Sequence, residues 1–375
     1  MKIRVSGVLL NEKLSSISKI FDRLRSDDVK SNIKISVYID MIRLQAMNER
    51  IAFTETIDGV YTDVDESNQG FSFLVNAKTL IDFFRTHQSD VEIEVKNDFE
   101  LSFSYKRGSF YTTWGEDKIY PEFFYPKNKT DVVVLKSSSF VSSLKRSFSF
   151  VSVDEFRPAL SAVYLNIKKE YIDIVSTDLF RLFVNRNNIV RSEIEKGVML
   201  SEMAASILYL YLSDSDTDHD ISICSDDVRT FIMFDNVIIS DMNYEEKFPD
   251  YERVCSKMVF NHKIVFDKDQ MVAALNSVSM VNDLVGFKYD SCSMIIKSED
   301  KGNRKQCTET VDASTISDNG FSFFISRGNI LSSIKSMIKG EVALEYSDEF
   351  KSLKLYNTKY ENTFVFNQTL SNYNY

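Results

Sequence analysis

Residues 35–39 (Ile-Ser-Val-Tyr-Ile), 160–164 (Leu-Ser-Ala-Val-Tyr) and 285–289 (Val-Gly-Phe-Lys-Tyr) are three strand-like runs placed 125 residues apart. Each begins with an apolar residue and a small residue, as in a half-buried strand. The chain has 375 residues, which is three times this spacing. A fixed internal period is the signature of a repeated structural module, so the spacing predicts three copies of one module.

A second set of positions has the same spacing. Quartets that end at Asn76, Ser201 and Ser326 each open a helical pattern, and these three residues are again 125 apart. Asn and Ser cap helix N-termini by accepting a backbone N–H. Short apolar strings recur in any globular protein and would explain either set alone, but they do not explain the shared offset.

Each third also repeats the order of its predicted elements. An amphipathic helix comes first, strands follow, and the capped helix then leads to alternating strands such as residues 91–95. A hairpin-like pair closes the unit, as at residues 101–111. Two helices with many antiparallel strands per repeat predict an α+β fold with the helices on one face of a sheet. The predicted domains are residues 1–128, 129–256 and 257–375.

Composition excludes several classes of protein. A hydrophobic fraction of 43%, with 29 Phe and 18 Tyr, is too high for a disordered chain. No run approaches the roughly 18 apolar residues that span a membrane, and the first residues lack the apolar stretch of a signal peptide. Four cysteines without CxxC spacing predict reduced thiols. We therefore expect a cytoplasmic protein without a membrane partner.

The net charge limits any role on nucleic acid. The chain has 45 Lys and Arg against 55 Asp and Glu, a net charge of −10, so positive charge would have to be confined to one face. Domains of this size have an equivalent diameter of roughly 36 Å. A closed ring of three would leave a hole about 5 Å wide, whereas a ring of six would leave about 36 Å, enough for a DNA duplex. Two head-to-tail copies would supply six domains.

Cations on the predicted helices fit such a ring. They recur in helices of all three thirds and would give an acidic protein a basic inner wall for non-specific phosphate contacts. Ordinary solvated helix faces are the alternative, and the second helix of the middle third carries no cation. The residues expected to face DNA are Lys19, Arg23, Arg25, Lys78, Arg85, Lys145, Arg146, Arg327 and Lys335.

Four segments resemble one known family. Residues 157–165 and 175–182 are similar to the middle domain of the bacterial sliding clamp, the β subunit of DNA polymerase III. Residues 248–254 resemble the end of that domain, and residues 120–123 resemble the end of the first domain. The resemblance implies a homodimeric ring that encircles duplex DNA without sequence specificity. It also implies that the replicative polymerase and the clamp loader dock on it through short linear peptides.

The resemblance further implies two contact sites. Where the family usually has Gly-His, this chain has Leu179-Phe180, and its tail at 367–375 lacks the family's Met-Pro-rich run, so we expect a shifted peptide preference. The dimer contact would place Phe110 and Thr112 against Met280 and Val281. The peptide pocket would comprise Leu160, Thr177, Leu179, Phe180, Arg181, Leu182, Pro249, Arg253, Val254, Val365 and Phe366.

No catalytic constellation stands out. The sequence has no phosphate-binding loop, no dinucleotide fingerprint and only three histidines, none in H-E-x-x-H spacing. We predict a DNA polymerase processivity factor, associated with the nucleoid, that is not an enzyme and needs no cofactor. One alternative is a non-encircling clamp-like adaptor that recruits replication or repair proteins by peptide docking. Another is a metal-dependent hydrolase or nuclease that uses Asp216, although the acidic run at 214–220 lacks the glycine and glutamate of a calcium loop.

Overall fold

The computed structural model describes residues 1–22, 24–64, 70–126, 133–154, 156–189, 191–192, 195–213, 217–290, 292–315, 320–359 and 362–370. The chain divides into two compact units. Unit 1 comprises residues 1–141, 167–170 and 189–243, and unit 2 comprises residues 142–166, 171–188 and 244–375.

Helices and antiparallel strands make up both units. The α-helices within the described ranges are α1 (Gly7–Ile17), α2 (Ala77–Thr86), α3 (Ser137–Ser147), α4 (Glu202–Leu212), α5 (Tyr251–Lys257), α6 (Lys268–Ser277) and α7 (Arg327–Ser336). The strands within these ranges are β1 (Lys2–Val5), β2 (Asn32–Tyr38), β3 (Met41–Met47), β4 (Ile51–Asp58), β5 (Tyr61–Thr62), β6 (Phe71–Asn76), β7 (Val91–Val95), β8 (Glu100–Tyr105), β9 (Gly108–Thr113), β10 (Gly115–Glu116), β11 (Val133–Lys136), β12 (Ala162–Ile167), β13 (Tyr171–Thr177), β14 (Arg181–Asn188), β15 (Arg191–Ser192), β16 (Lys196–Ser201), β17 (Asp220–Ser225), β18 (Arg229–Phe234), β19 (Val237–Met242), β20 (His262–Asp267), β21 (Leu284–Asp290), β22 (Ser293–Asp300), β23 (Lys305–Thr315), β24 (Ser322–Ser326), β25 (Glu341–Ser347), β26 (Ser352–Asn357) and β27 (Thr363–Gln368).

The predicted helix caps are confirmed. Asn76 Oδ1 accepts the backbone N–H of Thr79 at 3.1 Å, and α2 begins at the next residue. The hydroxyls of Ser201 and Ser326 accept backbone N–H groups of α4 and α7 at 3.1 and 3.4 Å. Each cap satisfies one N–H that has no partner within the helix, which is why these helices begin where the sequence places them.

Unit 1 contains two antiparallel sheets. The five-stranded sheet has the order β5-β1-β7-β8-β9, and the ten-stranded sheet has the order β10-β6-β2-β3-β4-β19-β18-β17-β11-β15. Strand β7 alternates buried Val91, Ile93 and Val95 with glutamates, as its sequence pattern predicts. Helix α1 packs against α2 and α4 in this unit. The predicted hairpin at residues 101–111 is formed by β8 and β9.

Unit 2 is built on one long run of antiparallel strands. Their order is β12-β13-β14-β27-β26-β25-β20-β23-β22-β21-β24. Helices α6 and α7 pack against each other, and their buried faces join a core that includes Phe150, Phe183 and Tyr346. The predicted α+β class with antiparallel sheets is confirmed. The run at 160–164 differs in part, because residues 158–161 form a short 3-10 turn before β12.

The division of the chain into three domains at residues 128 and 256 stays a prediction. The two compact units described above have other boundaries. Across the described ranges, no helix is long and apolar enough to cross a bilayer.

Asp241 is a fully buried carboxylate of unit 1. Its Oδ2 accepts the backbone N–H of Ser201 at 2.6 Å, and its Oδ1 lies 3.0 Å from Nε of Arg50. Loss of hydration on burial raises the pKa of Asp241 to about 6, although Arg50 opposes this shift. The folded chain therefore holds the proton on this carboxyl group more tightly than the unfolded chain does.

We expect Asp241 to make the free energy of unfolding depend on pH. Its stabilising contribution is fully present below the ordinary pKa of 3.8 and is lost as the pH rises through about 6. Two pKa units correspond to roughly 3 kcal/mol, and Asp241→Asn removes the titration. Between about pH 4 and about pH 7, the unfolding free energy of the variant should rise by that amount relative to the native chain. Urea denaturation at both pH values measures the difference, and a pH-independent difference would contradict the assignment.

Candidate functional site

The turn between β13 and β14 is held by two polar side chains. Asp178 Oδ1 accepts the backbone N–H groups of Phe180 at 3.0 Å and of Arg181 at 2.7 Å. Thr177 Oγ1 accepts the N–H of Leu179 at 3.0 Å and donates to the carbonyl of Arg181 at 2.7 Å. Such side-chain to backbone bonds stabilise a tight turn. The turn leaves the side chains of Leu179 and Phe180 half exposed or more.

Helix α5 lies beside this turn. Asp250 caps the helix by accepting the N–H of Arg253 at 3.0 Å. The hydroxyl of Tyr251 donates to Asp173 Oδ2 at 3.0 Å and accepts from Asn166 Nδ2 at 2.7 Å, and burial raises the pKa of this phenol. These bonds fix α5 on the sheet. Val254 stays exposed on the helix.

The last strand of unit 2 completes the site. The N–H of Gln368 donates to the carbonyl of Phe180 at 2.9 Å, which joins β27 to the turn. Asn367, which precedes it, is buried, and its Oδ1 accepts from the Ser333 hydroxyl at 2.9 Å. Within the described part of the chain, its Nδ2 has no hydrogen-bond partner.

These elements surround a cavity of about 270 Å³ that lies within unit 2. Most of the side chains that line it are apolar, and the charge at its edge is neutralised: the guanidinium of Arg181 lies 2.7 Å from Asp178 Oδ2. A concave apolar surface with a few polar groups is suited to the anchors of a short peptide. The lining residues are Thr177, Leu179, Phe180, Arg181, Leu182, Pro249, Tyr251, Val254, Met258, Phe350, Ser352, Phe366, Asn367 and Gln368.

Several known proteins with similar sequences are beta sliding clamps. The family model described as "DNA polymerase III beta subunit, N-terminal domain" matches residues 1–113. The beta sliding clamp of Rickettsia felis is 25% identical over 82% of this chain and 81% of its own length. That of Rickettsia bellii is 23% identical over 86% of this chain and 85% of its own. The chain is therefore similar to bacterial sliding clamps over most of its length, although its sequence diverges strongly from theirs.

Solved structures agree on the sliding clamp fold. The DNA polymerase III beta subunit of Thermotoga maritima superimposes with a TM-score of 0.88 at 16% identity, covering 99% of both chains. The DNA polymerase sliding clamp of Bacillus subtilis gives 0.87 at 16% identity and covers 100% of both chains. At these identities the likeness shows the fold alone.

The clamp brings most of the predicted pocket residues together. Three of the eleven do not line the cavity in the part of the chain that is described: Leu160 and Val365 are buried in the protein interior, and Arg253 lies on α5 away from the lining. The eight that line it are Thr177, Leu179, Phe180, Arg181, Leu182, Pro249, Val254 and Phe366. Their contact with a peptide stays a prediction.

The clamp also has lining residues that sequence reasoning missed. Tyr251 lies within residues 248–254, the segment that resembles the end of the family's middle domain, and Asn367 and Gln368 directly follow Phe366. These three residues could have been predicted because they are close in sequence to residues that were. Met258 follows the end of α5. Phe350 and Ser352 had no signal in the sequence: Ser352 reaches the cavity through the pairing of β26 with β27, and Phe350 lies two residues before β26.

Leu179 has a left-handed backbone, with φ of 73°. This conformation costs an L-residue roughly 1–2 kcal/mol and costs glycine nothing comparable, but glycine loses more entropy on folding. We expect Leu179→Gly to raise the unfolding free energy of the clamp by about 0.5–1 kcal/mol. Leu179→Ala keeps the unfavourable φ and should not stabilise, so chemical denaturation of the pair isolates the backbone effect. Equal stability of the two variants would show that the turn is not strained.

Several cations predicted to face DNA are exposed in the clamp. Lys19, Lys78, Lys145 and Lys335 are exposed, as is Arg85, which forms an ion pair with Asp82 one turn away. Arg25, also exposed, lies 3.3 Å from Asp27.

The other three cations predicted to face DNA are not among these exposed residues. The guanidinium of Arg146 donates to Thr363 Oγ1 at 3.0 Å, and burial lowers its pKa. Arg327 is only 24% exposed and lies 3.8 Å from Asp283. Arg23 lies outside the described residues. The DNA contact of the whole set stays a prediction.

The four residues of the predicted dimer contact are at least partly exposed within their own units. In unit 1, Phe110 and Thr112 are on β9, the outermost strand of the five-stranded sheet, and the ring of Phe110 packs against Phe83 at 5.4 Å. In unit 2, Met280 follows α6, and its side chain is 71% exposed. Val281 follows it, partly buried.

The described residues of the clamp contain no candidate metal-binding site. Among them, no group of three or more His, Cys, Asp or Glu side chains is arranged to hold a metal ion. Asp216, on which the hydrolase alternative depends, lies outside the described residues together with Asp214.

Proposed function

We propose that this sliding clamp works as a head-to-tail homodimeric ring that encloses duplex DNA and holds a polymerase through the unit 2 cavity. Its role as a DNA polymerase processivity factor is supported by its similarity to DNA polymerase III beta subunits and beta sliding clamps. The observation that carries the docking proposal is the cavity itself, where residues from four separate stretches of chain converge on one mostly apolar surface. The protein would act in the cytoplasm at the nucleoid, without a cofactor and without catalysis of its own.

The occupant of the cavity would be a short linear peptide of the polymerase or the clamp loader. The anchors of such a peptide, aliphatic or aromatic, would contact four apolar side chains: Phe180, Leu182, Val254 and Phe366. Binding would be favourable because it removes their apolar surface from water. The amide of Asn367 would supply a polar contact in a mostly apolar site. Leu179 and Phe180 would change the peptide preference, because they add bulk where the family usually has Gly-His.

Open strand edges support the proposed dimer. Within the described part of the chain, β9 pairs with β8 alone. There, residues 305–312 of β23 pair with β22 alone, and residues 313–315 pair with β20. Unpaired edges of this kind readily accept a strand from another chain. In the proposed ring, Phe110 and Thr112 of one copy would lie next to Met280 and Val281 of its partner.

The exposed helix cations would line the inside of that ring. We expect Lys78→Gln together with Arg85→Gln to weaken retention on DNA and to reduce its salt dependence, because two phosphate contacts are lost. The slope of log affinity against log salt should fall by roughly two units. Retention on nicked circular DNA over a salt series measures it. Lys169→Gln with Lys196→Gln, two exposed lysines outside the helices, is the control; an equal slope in both double variants would contradict the assignment.

Binding by enclosure has a direct test. Clamp loaded on closed circular DNA should stay bound through gel filtration and should be lost once the DNA is cut to a linear form. Equal retention on both forms would contradict enclosure. A non-encircling adaptor is favoured by the lack of any cation on α4, and it would be a stable monomer in light scattering at micromolar concentration, whereas the ring requires a dimer.

A further inference from the structure

The β3–β4 turn of unit 1 has the same design as the β13–β14 turn that borders the cavity in unit 2. Asn48 Oδ1 accepts the N–H groups of Arg50 at 2.9 Å and of Ile51 at 2.8 Å, as Asp178 does for Phe180 and Arg181. The carbonyl of Arg50 accepts the N–H of Met242 at 3.1 Å, as that of Phe180 accepts Gln368. Unit 1 therefore contains a counterpart of the cavity.

Strand register identifies the residues of this counterpart. Asp241 faces Ile51 across the β4–β19 pair, as Asn367 faces Arg181 across the β14–β27 pair. Arg229 faces Met242, as Ser352 faces Gln368. We call the surface formed by Met47, Ala52, Arg229, Ser240, Asp241 and Met242 the unit 1 groove; these residues correspond in order to Thr177, Leu182, Ser352, Phe366, Asn367 and Gln368.

The two surfaces differ in the segment that follows a shared aromatic-proline pair. After Pro249 the chain forms α5, capped by Asp250, and leaves the cavity open. After Pro121 the chain is not helical up to residue 126. Glu122 stands where Asp250 caps, and Pro126 stands where the N–H of Val254 donates to the carbonyl of Asp250 at 3.4 Å. Because proline has no N–H, a helix like α5 cannot form at this position without losing that bond.

The non-helical segment fills the unit 1 groove. Phe123 packs against the apolar cluster that contains Met47 and Ala52, and its ring stacks on Tyr120 at 5.9 Å. The ring of Phe124 lies 3.8 Å from the guanidinium of Arg229, which is buried. The hydroxyl of Tyr125 accepts from Gln45 Nε2 at 3.1 Å.

The contacts of this segment define what the groove recognises. One aromatic ring occupies an apolar surface, the next lies on a buried cation, and desolvated cation–π contacts are worth more than exposed ones. A phenol follows and accepts a hydrogen bond from a buried amide. We propose that Phe123–Tyr125 is a resident peptide and that the unit 1 groove is a second docking site, for an extended aromatic peptide that replaces it.

A synthetic peptide that copies residues 120–126 (Tyr-Pro-Glu-Phe-Phe-Tyr-Pro) tests the proposal. The host protein is the 375-residue clamp with Val254→Glu, which blocks peptide binding at the unit 2 cavity. In this host, Phe123→Ala together with Phe124→Ala empties the unit 1 groove. Fluorescence anisotropy should show the labelled peptide binding the emptied variant at least tenfold more tightly than Val254→Glu alone. A peptide with both Phe replaced by Ala is the matched control and should not bind.

Two outcomes would overturn the proposal. One is absence of binding to an emptied variant that keeps the far-UV circular dichroism and cooperative melting of its parent. The other is equal binding to Val254→Glu alone, because the resident segment would then not occupy the site. If the double variant does not fold, Phe124→Ala alone takes its place, since this ring is half exposed and outside the apolar cluster that holds Phe123. The same two outcomes then decide.

Discussion

Val254→Glu should abolish peptide docking by the clamp while leaving its fold intact. The side chain of Val254 is 47% exposed on α5 and lines the unit 2 cavity, so a carboxylate there is solvated until a peptide covers it. Covering it would leave an unpaired charge in an apolar contact, a cost of about 3–5 kcal/mol. That cost corresponds to a loss of affinity of roughly 150- to 5,000-fold. Stimulation of a processive polymerase by the clamp should fall with it.

Val259→Glu is the matched control for this variant. Val259 is five residues away, is 61% exposed and does not line the cavity in the described part of the chain, so it introduces the same charge outside the proposed contact. Peptides that carry one aliphatic and one aromatic anchor, taken from replicative polymerases, serve as anisotropy probes for both variants. Equal loss in the two variants would point to a general charge effect. Full binding by Val254→Glu would show that the cavity is not the docking site.

Structural features that depend on residues close in sequence were predictable. The helix caps at Asn76, Ser201 and Ser326 depend only on a side chain and an N–H three residues later. The β8–β9 hairpin depends on two neighbouring runs. The turn at residues 177–181 is equally local. The resemblance at residues 175–182 could therefore point to residues of one wall of the cavity, although their contact with a peptide stays a prediction.

Long-range contacts were not predictable in the same way. Arg146 looked like a cation on a solvated helix, but its guanidinium bonds to Thr363, which is 217 residues away. Val365 and Phe366 are adjacent in β27, and alternation along a strand sends neighbouring side chains to opposite faces. Only Phe366 therefore lines the cavity, while Val365 enters the core. Strand pairing decides such outcomes, and one sequence does not specify which distant strands pair.

Met280→Glu should convert the proposed dimer into a monomer. Met280 is 71% exposed within its own chain, so glutamate at this position is solvated and should not affect folding of the monomer. If the partner's β9 covers it, an unpaired charge is buried at each of the two symmetric contacts, at about 3–5 kcal/mol for each. The two contacts together cost at least about 6 kcal/mol, so the dissociation constant of the dimer should rise by at least about 10,000-fold. Light scattering at micromolar concentration should then report a mass near 43 kDa rather than twice the 43.3 kDa of one chain.

The single tryptophan of the chain gives this prediction a second readout. Trp114 directly follows β9, and its Nε1 donates to the carbonyl of Lys96 at 2.9 Å, so its emission reports on the edge where the partner would bind. Dilution of the native protein should shift that emission at the concentration where the mass halves, and Met280→Glu should show the diluted spectrum throughout. Val259→Glu again provides the control and should stay dimeric. A dimeric Met280→Glu that is still retained on circular DNA would place the subunit contact elsewhere, because a ring opened at both contacts cannot hold DNA by enclosure.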